Sequence, residues 1–262
     1  MYFPFFQTNA GTLLLIDSEE EYYKDEIMKL DNDIHALGLS VIIFSDWYDI
    51  NILNSVKFFD ENTRDFWEPA TGGSNIPAIN DLLKPFNIAF GGKVLRGDID
   101  GGTNPNNQRP QKTIFRSGNE IIQFPVNGHI YRTRLIDESS SFLNKGKNKI
   151  VEAAVFGLYQ TLSKNTSSSG RIVVYGDSNC IDSSHIVSPC YWLLLEFLKY
   201  TSDNVLTPTI NKMTHEVTEL DTLYSNHINT LKPRRRKESM YVMKHLASKV
   251  LNGKVGDSCT NN

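Results

Sequence analysis

The chain has 262 residues, of which 40% are hydrophobic, 22% charged and 11% aromatic, a composition that can bury one good-sized core without a metal or membrane. A net charge of −3 excludes the basic footprint that a phosphate-neutralising nucleic-acid binder needs. No apolar run approaches the roughly 20 residues of a membrane-spanning helix, so the chain is expected not to insert directly in a membrane. The start, Met1-Tyr2-Phe3-Pro4-Phe5-Phe6, lacks the charged and apolar regions of a signal peptide, so any secretory targeting must come from elsewhere.

Gly11 to Asp17 is an apolar run between polar brackets and predicts a central strand, buried on both faces of a parallel sheet. Ser18 is expected to cap a following helix with Glu19, Glu20 and Glu21 in its first turn; Ile27, Leu30, Ile34 and Leu37 recur at helical spacing, and Gly38 stops it. Leu39 to Ser45 predicts a second strand, giving a strand-helix-strand crossover unit. Residues 46 to 92 are rich in aromatics and turns, and hold a short helix that Ser74 or Asn75 caps and Pro77 opens.

Between Gly97 and Lys112 the residues are almost all Gly, Asn, Asp, Pro and Gln, which predicts an exposed insertion. Further strands are expected at Ile121 to Phe124, Ile130 to Leu135, Val155 to Leu162 and Arg171 to Tyr175, then a helix from Tyr191 to Tyr200. After Ser202 the sequence turns polar. The run Arg234-Arg235-Arg236-Lys237 in this tail reads as solvated surface, with a localisation signal or a polyanion patch as alternatives.

The natural place for chemistry is Gly176-Asp177-Ser178-Asn179-Cys180, at the carboxyl end of a buried strand. Gly-Asp-Ser there is similar to the serine block of GDSL-type esterases, and Asp182 and His185 supply an Asp-x-x-His. Ser178, Asp182 and His185 are thus the candidate catalytic set of a small-molecule serine hydrolase. The arrangement argues against it: only six residues separate Ser178 from His185, and the best Gly-x-Asn match, Gly102-Thr103-Asn104, lies upstream of the serine. A capped strand-to-helix loop accounts for the same residues without catalysis. Cys180 is a weaker nucleophile candidate, because Ser178 occupies the tight turn after the strand.

Cys180, Cys190 and Cys259 fit no zinc spacing. Cys180 and Cys190 either pair, closing an 11-residue loop in an oxidising compartment, or stay as buried thiols. The acidic clusters Glu19-Glu20-Glu21 and Asp60-Glu61, and the segment Gly97-Asp98-Ile99-Asp100-Gly101, lack calcium-loop spacing and read as surface and turn. No metal site and no cofactor is expected. Asn165-Thr166-Ser167 is a glycosylation sequon that matters only in the secretory pathway.

Several longer blocks carry a family resemblance. Gly11 to Tyr22, Phe44-Ser45-Asp46-Trp47-Tyr48, Phe59 to Arg64, Thr71 to Ala78 and Gly170 to Cys180 resemble, in collinear order, the site-1 protease family. Its members are subtilisin-like serine endopeptidases of the Golgi and endoplasmic reticulum that process membrane-bound transcription factor precursors. The chain looks like the region that lies after their peptidase domain. No subtilisin-type Asp, His and Ser blocks are found, so no catalytic residue is carried over. The resemblance implies a luminal setting, which favours a Cys180–Cys190 bridge and glycosylation at Asn165.

The expectation is therefore a three-layer α/β sandwich with a mainly parallel sheet, flavodoxin-like or amidotransferase-like, over residues 1–202. A polar, partly helical or disordered tail is expected over 203–262. The implied role is to support or regulate an attached subtilisin-like peptidase domain of the same or a related chain, with protein substrates as further contacts and nucleic acid excluded. A stand-alone interaction module that lost its peptidase is a rival reading, beside the serine hydrolase.

Overall fold

A computed structural model describes residues 11–219 except 57, 68, 70, 105–106, 141–148, 163–168 and 183–188, and all of these lie in one compact unit. The chain runs β1 (Thr12–Ile16), α1 (Lys24–Leu37) and β2 (Ser40–Phe44), the expected crossover, with β1 parallel to β2. Contrary to expectation β1 is not central: it is an edge strand of the described sheet, and Leu14 and Ile16 are exposed on it. Gly38 ends α1 with φ 73°, a left-handed cap that glycine takes without strain. Ser18 does not cap this helix: α1 starts at Lys24, Glu26 reaches back to the Tyr23 N–H, and the Ser18 hydroxyl bonds the Tyr22 hydroxyl. The three glutamates therefore precede the first turn. Nearby, Glu21 accepts from Asn75, so at least one of them ties the segment to a later turn.

Next come α2 (Ile50–Ser55), a small hairpin of β3 (Phe58–Asp60) and β4 (Asp65–Trp67), and α3 (Ile76–Leu83), capped by Asn75 with Pro77 in its first turn as the sequence predicts. Two long strands come after it, β5 (Ala89–Thr103) and β6 (Pro110–Gln123), paired antiparallel. They overturn the expectation of an exposed insertion over Gly97 to Lys112. Gly97 pairs with Phe115, Ile99 with Thr113 and Asp100 with Lys112, and Ile99 and Phe115 are fully buried. The glycines belong to the strand because a side chain would collide there: a Cβ on Gly97 would meet Leu135, and one on Gly101 would meet Trp192.

The chain then forms β7 (His129–Asp137), β8 (Lys149–Gln160), β9 (Arg171–Tyr175), α4 (Tyr191–Asp203), α5 (Pro208–Met213) and a short β10 (His215–Glu216). The main sheet has eight strands in the order β1-β2-β9-β8-β6-β5-β7-β10. It is mixed: β1, β2 and β9 run parallel, and the pairs from β9 onward are antiparallel. The segment after Ser202 contributes α5 and β10 to this body, with His215 paired to Ile130.

Helices cover the sheet on both faces, a three-layer α/β sandwich. On one face Ile42, Phe44, Val173 and Tyr175 pack with Phe156 and with Leu193 and Phe197 of α4. Phe197 meets the rings of Phe44, Phe156 and Tyr175 within 5.4–6.3 Å, the range that aromatic quadrupoles favour. The alternate residues Val41, Ile43, Ile172 and Val174 are equally buried and point to the opposite face. Because β2 is buried on both sides, its sequence Ser-Val-Ile-Ile-Phe has no polar alternation.

Candidate functional site at the carboxyl ends of the parallel strands

The register aligns Ile16 with Phe44 and Phe44 with Tyr175, so β1, β2 and β9 end level with one another. The residues after the three strands therefore converge: Asp17 after β1, Ser45 and Asp46 after β2, and Gly176, Asp177 and Ser178 after β9. Backbone bonds clamp the three ends. The Asp17 N–H donates to the Phe44 carbonyl at 3.0 Å, Ser45 N–H to that of Tyr175 at 2.9 Å, and Ser178 N–H to that of Ser45 at 2.8 Å.

Gly176 is required here by space. Its N–H donates to the Val155 carbonyl and its own carbonyl accepts from Asn119, and a Cβ on it would sit 2.0 Å from the Asn119 carbonyl oxygen. Gly73 is constrained similarly, since a Cβ there would lie 2.1 Å from an oxygen of the Asp46 carboxyl. The turn before α3 thus closes over Asp46, and the Ser74 hydroxyl accepts the Asp46 N–H at 2.7 Å.

Two buried carboxyls organise the floor. Asp177 is fully buried; one oxygen accepts the Arg116 N–H and the other accepts the Asn179 N–H at 3.1 Å, capping the short helical turn Ser178–Ile181. Asp46 accepts the Trp47 N–H and the Asn179 side-chain amide, each at 2.7 Å. That one amide also reaches Asp177 at 2.9 Å and the Ser117 hydroxyl at 3.1 Å. Asn179 is the bridge between β2, β6 and β9.

Burial dominates the electrostatics. It pushes the Asp46 carboxyl up to about 7, with the negative charges of Asp177 and Asp17 adding to the rise and the Trp47 and Asn179 hydrogen bonds opposing it. Asp177 is raised mainly by burial, against the pull of the Arg116 N–H. Asp17 is raised by burial too, and the nearby Asp182 and Glu19 push the same way. Asp17 also holds a left-handed backbone at φ 47°, uncommon for a residue with a side chain.

The candidate catalytic residues fare differently. Ser178 lies in the helical turn at 1% exposure, without left-handed backbone, and its hydroxyl has no hydrogen-bond partner among the described residues. It is still close enough to Asp17 to draw that carboxyl's affinity for a proton down. Asp182 is exposed just after the turn and acts on Asp17 through its charge. His185 lies outside the described residues, as does the sequon at Asn165. Cys180 and Cys190 form a disulfide with 5.2 Å between their Cα atoms, and Cys190 N–H also donates to the Cys180 carbonyl at 3.0 Å, so the bridge ties the turn after β9 to the start of α4. Gly102 and Thr103 are the last residues of β5 and Asn104 follows them, its N–H bonding the Arg109 carbonyl. Among the described residues no cluster of His, Cys, Asp or Glu could hold a metal ion.

The residues that organise the site, Asp46, Asn179 and Asn119, are not singled out by motif reading. For Asp46 a signal exists, since it closely follows a fully apolar strand where an α/β sheet presents its ligands. Asn119 gives none. Its amide donates to the Tyr48 and Lys93 carbonyls, a role visible only once three segments meet.

A family model described as "MBTPS1, fourth GATase-like domain" matches residues 3–215. The chain belongs to that family. It is 41% identical over 208 residues to the subtilisin-like protease SBT6.1 of Arabidopsis thaliana, which covers 76% of this chain and 18% of that relative. It is also 42% identical over 204 residues to the membrane-bound transcription factor site-1 protease of Mus musculus and over 201 residues to that of Homo sapiens, covering 78% and 77% of this chain and 18% of each relative. The chain thus spans less than a fifth of the length of these relatives, and it corresponds to a part of the site-1 protease family outside the peptidase domain. The amidotransferase-like expectation agrees with the GATase-like description. No helix among the described residues is long and apolar enough to cross a membrane.

Proposed function

We propose that this chain is a non-catalytic module of a site-1-protease-like protein, which supports or regulates a subtilisin-like peptidase domain in the Golgi or endoplasmic reticulum lumen. The observation that carries this reading is the occupation of the strand-end groups. Both oxygens of Asp177 accept hydrogen bonds, one oxygen of Asp46 accepts from the Trp47 N–H and the Asn179 amide, and Cys180 is held in a disulfide. A serine nucleophile needs an aligned base and a path to substrate; the Ser178 hydroxyl lies beside the Asp17 carboxyl but makes no aligned hydrogen bond among the described residues and is 1% exposed. The disulfide suits an oxidising compartment, where a luminal module would reside. Partners in this reading are the peptidase domain and protein substrates, with no nucleic acid and no direct membrane insertion.

The test is direct. The purified chain is incubated with generic ester substrates and a serine-directed phosphonate probe, alongside Ser178→Ala. No labelling and no turnover are expected. Labelling that Ser178→Ala abolishes would replace this reading by a hydrolase using Ser178, Asp182 and His185. For the compartment, protein from its native source is expected to show Cys180 and Cys190 oxidised and Asn165 glycosylated.

A further inference from the structure

The hairpin of β3 and β4 forms its own two-stranded sheet, and each strand has only three residues. An isolated ribbon of this size is marginal in water. Yet it carries four aromatic side chains in two cross-strand pairs, Phe58 with Trp67 and Phe59 with Phe66. Neighbouring positions on a strand point to opposite faces, so both sides of the ribbon are aromatic. None of the four is covered: they are 58%, 50%, 51% and 64% exposed in that order. The ribbon is nonetheless preformed. Phe59 and Phe66 meet edge to face at 5.3 Å, the Trp67 indole N–H donates to the Thr63 hydroxyl at 3.0 Å, and Asp60 accepts the Asn62 N–H and the Thr63 hydroxyl to close the turn.

We propose that this hairpin is a docking element that inserts into a groove, apolar inside and basic at its rim, on another domain of the same polypeptide. This rests on the reading of the chain as one module of a longer protease. Charge sets the rim, because Asp60, Glu61 and Asp65 outnumber Arg64 around the aromatic ribbon. Area selects a tethered partner over a diffusing one. Four aromatic side chains that each bury about 200 Å² when fully covered leave roughly 400 Å² free at half exposure. That is about half of what one partner contributes to a standard stable complex. A tether supplies an effective concentration in the millimolar range, which makes so small a contact sufficient. The long relatives provide such a tether, since more than four-fifths of their length lies outside the match. An aromatic ribbon exposed on two faces fits a groove better than a flat surface.

The experiment grafts residues 11–219 of this chain into full-length human site-1 protease in place of its matched segment. A photo-crosslinking benzoylphenylalanine is then placed at Phe59 or Phe66, with the exposed Tyr23 as the control site. Cross-links from positions 59 and 66 to another region of the same polypeptide, with at least tenfold lower yield from 23, are expected. Adducts only to lipid, only to a second copy, or none at all overturn the proposal. Cleavage of a reporter substrate by the graft, and by the protease lacking the segment, is measured in parallel. Unchanged cleavage without the segment defeats the module reading while leaving the cross-links to stand; lost cleavage without cross-links does the reverse. A graft that fails to fold is replaced by the isolated chain mixed at near-millimolar concentration with the relative's ectodomain lacking the segment. The Trp67 indole N–H resonance is expected to move and that of Trp192 to stay, and an unmoved Trp67 signal overturns the proposal.

Discussion

Replacing Asp46 by Asn tests whether the strand-end carboxyls are a stability cost held in place by the fold. Asp46 has an ordinary value of 3.8 and is raised to about 7 in the folded chain, chiefly by burial. Its proton is therefore bound more tightly in the folded than in the unfolded state. The sign comes from linkage: between about pH 4 and 7 the unfolded chain has lost this proton and the folded chain keeps it, so stability falls as pH rises through that window. A tenfold change in proton affinity is worth about 1.4 kcal/mol, so the full effect is about 4 kcal/mol, present below pH 4 and lost by pH 7. The asparagine introduced by Asp46→Asn mimics the protonated acid. Its carbonyl oxygen still accepts from the Trp47 N–H and the Asn179 amide, and it has no charge to desolvate. The assay is urea unfolding of wild type and Asp46→Asn at half-unit steps from pH 4.5 to 8.5. Asp17, Asp177 and Glu120 are raised in the same direction, so the wild type also carries their dependence; the difference between the two proteins isolates position 46. Asp46→Asn is expected to flatten the curve and to exceed the wild type by about 2–4 kcal/mol at pH 8, with Asp46→Ala below both because two buried N–H groups lose their acceptor. Parallel curves for wild type and Asp46→Asn, or a less stable Asn variant at pH 8, would show that burial of this charge costs the fold nothing.

Two other perturbations separate structural from chemical roles. Ser178→Ala removes a buried hydroxyl that makes no aligned hydrogen bond among the described residues, so thermal unfolding should show stability unchanged or raised by up to about 1 kcal/mol, whereas a loss above about 1 kcal/mol means the hydroxyl has a stabilising partner, such as the Asp17 carboxyl beside it. Reducing the Cys180–Cys190 bridge frees an 11-residue loop in the unfolded chain, and a loss of about 2–3 kcal/mol is expected in denaturant titrations with and without reductant.

Elements buried on both faces were legible in the sequence because their composition has a single physical reading. Ser40 to Phe44 and Arg171 to Tyr175 are apolar nearly throughout, and a strand covered on both sides accepts such a run; Thr12 to Ile16 reads the same way yet stands at the sheet edge with Leu14 and Ile16 exposed. Caps with a side-chain mechanism were legible as well, as Asn75 before Pro77 shows. Most of the failures share one cause, which is that the decisive partner is distant in sequence. Gly97 and Gly101 look like loop residues until Leu135 and Trp192 arrive against them. Ser18 fails locally instead: it looks like a cap until Tyr22 takes its hydroxyl. In the antiparallel half of the sheet β7, β8 and the end of β6 were legible as strands, whereas β5 and most of β6 were not, because the polar positions of a fifteen-residue strand mimic a turn.

The described residues from Gly176 to Asp182 show how a strand end gathers polar groups that bind one another. The carboxyl ends of parallel strands gather polar side chains because the chain must turn there and its N–H groups need acceptors. An enzyme keeps one of those groups unspent, aimed at substrate, with a base beside it. Here Asp177 caps the turn, Asn179 spans two carboxyls, Asp46 closes under Gly73, and Cys180 pins the turn to α4. The groups left unspent among the described residues include the Asn119 side-chain oxygen and the Ser178 hydroxyl, the latter buried beside a carboxyl whose own proton affinity is raised. A raised carboxyl in that position could serve as a base only with an open path to substrate, and at 1% exposure Ser178 has none while the turn stays closed. Chemistry at this end would require the disulfide-pinned turn to open. The bridge that ties it to α4 opposes that motion.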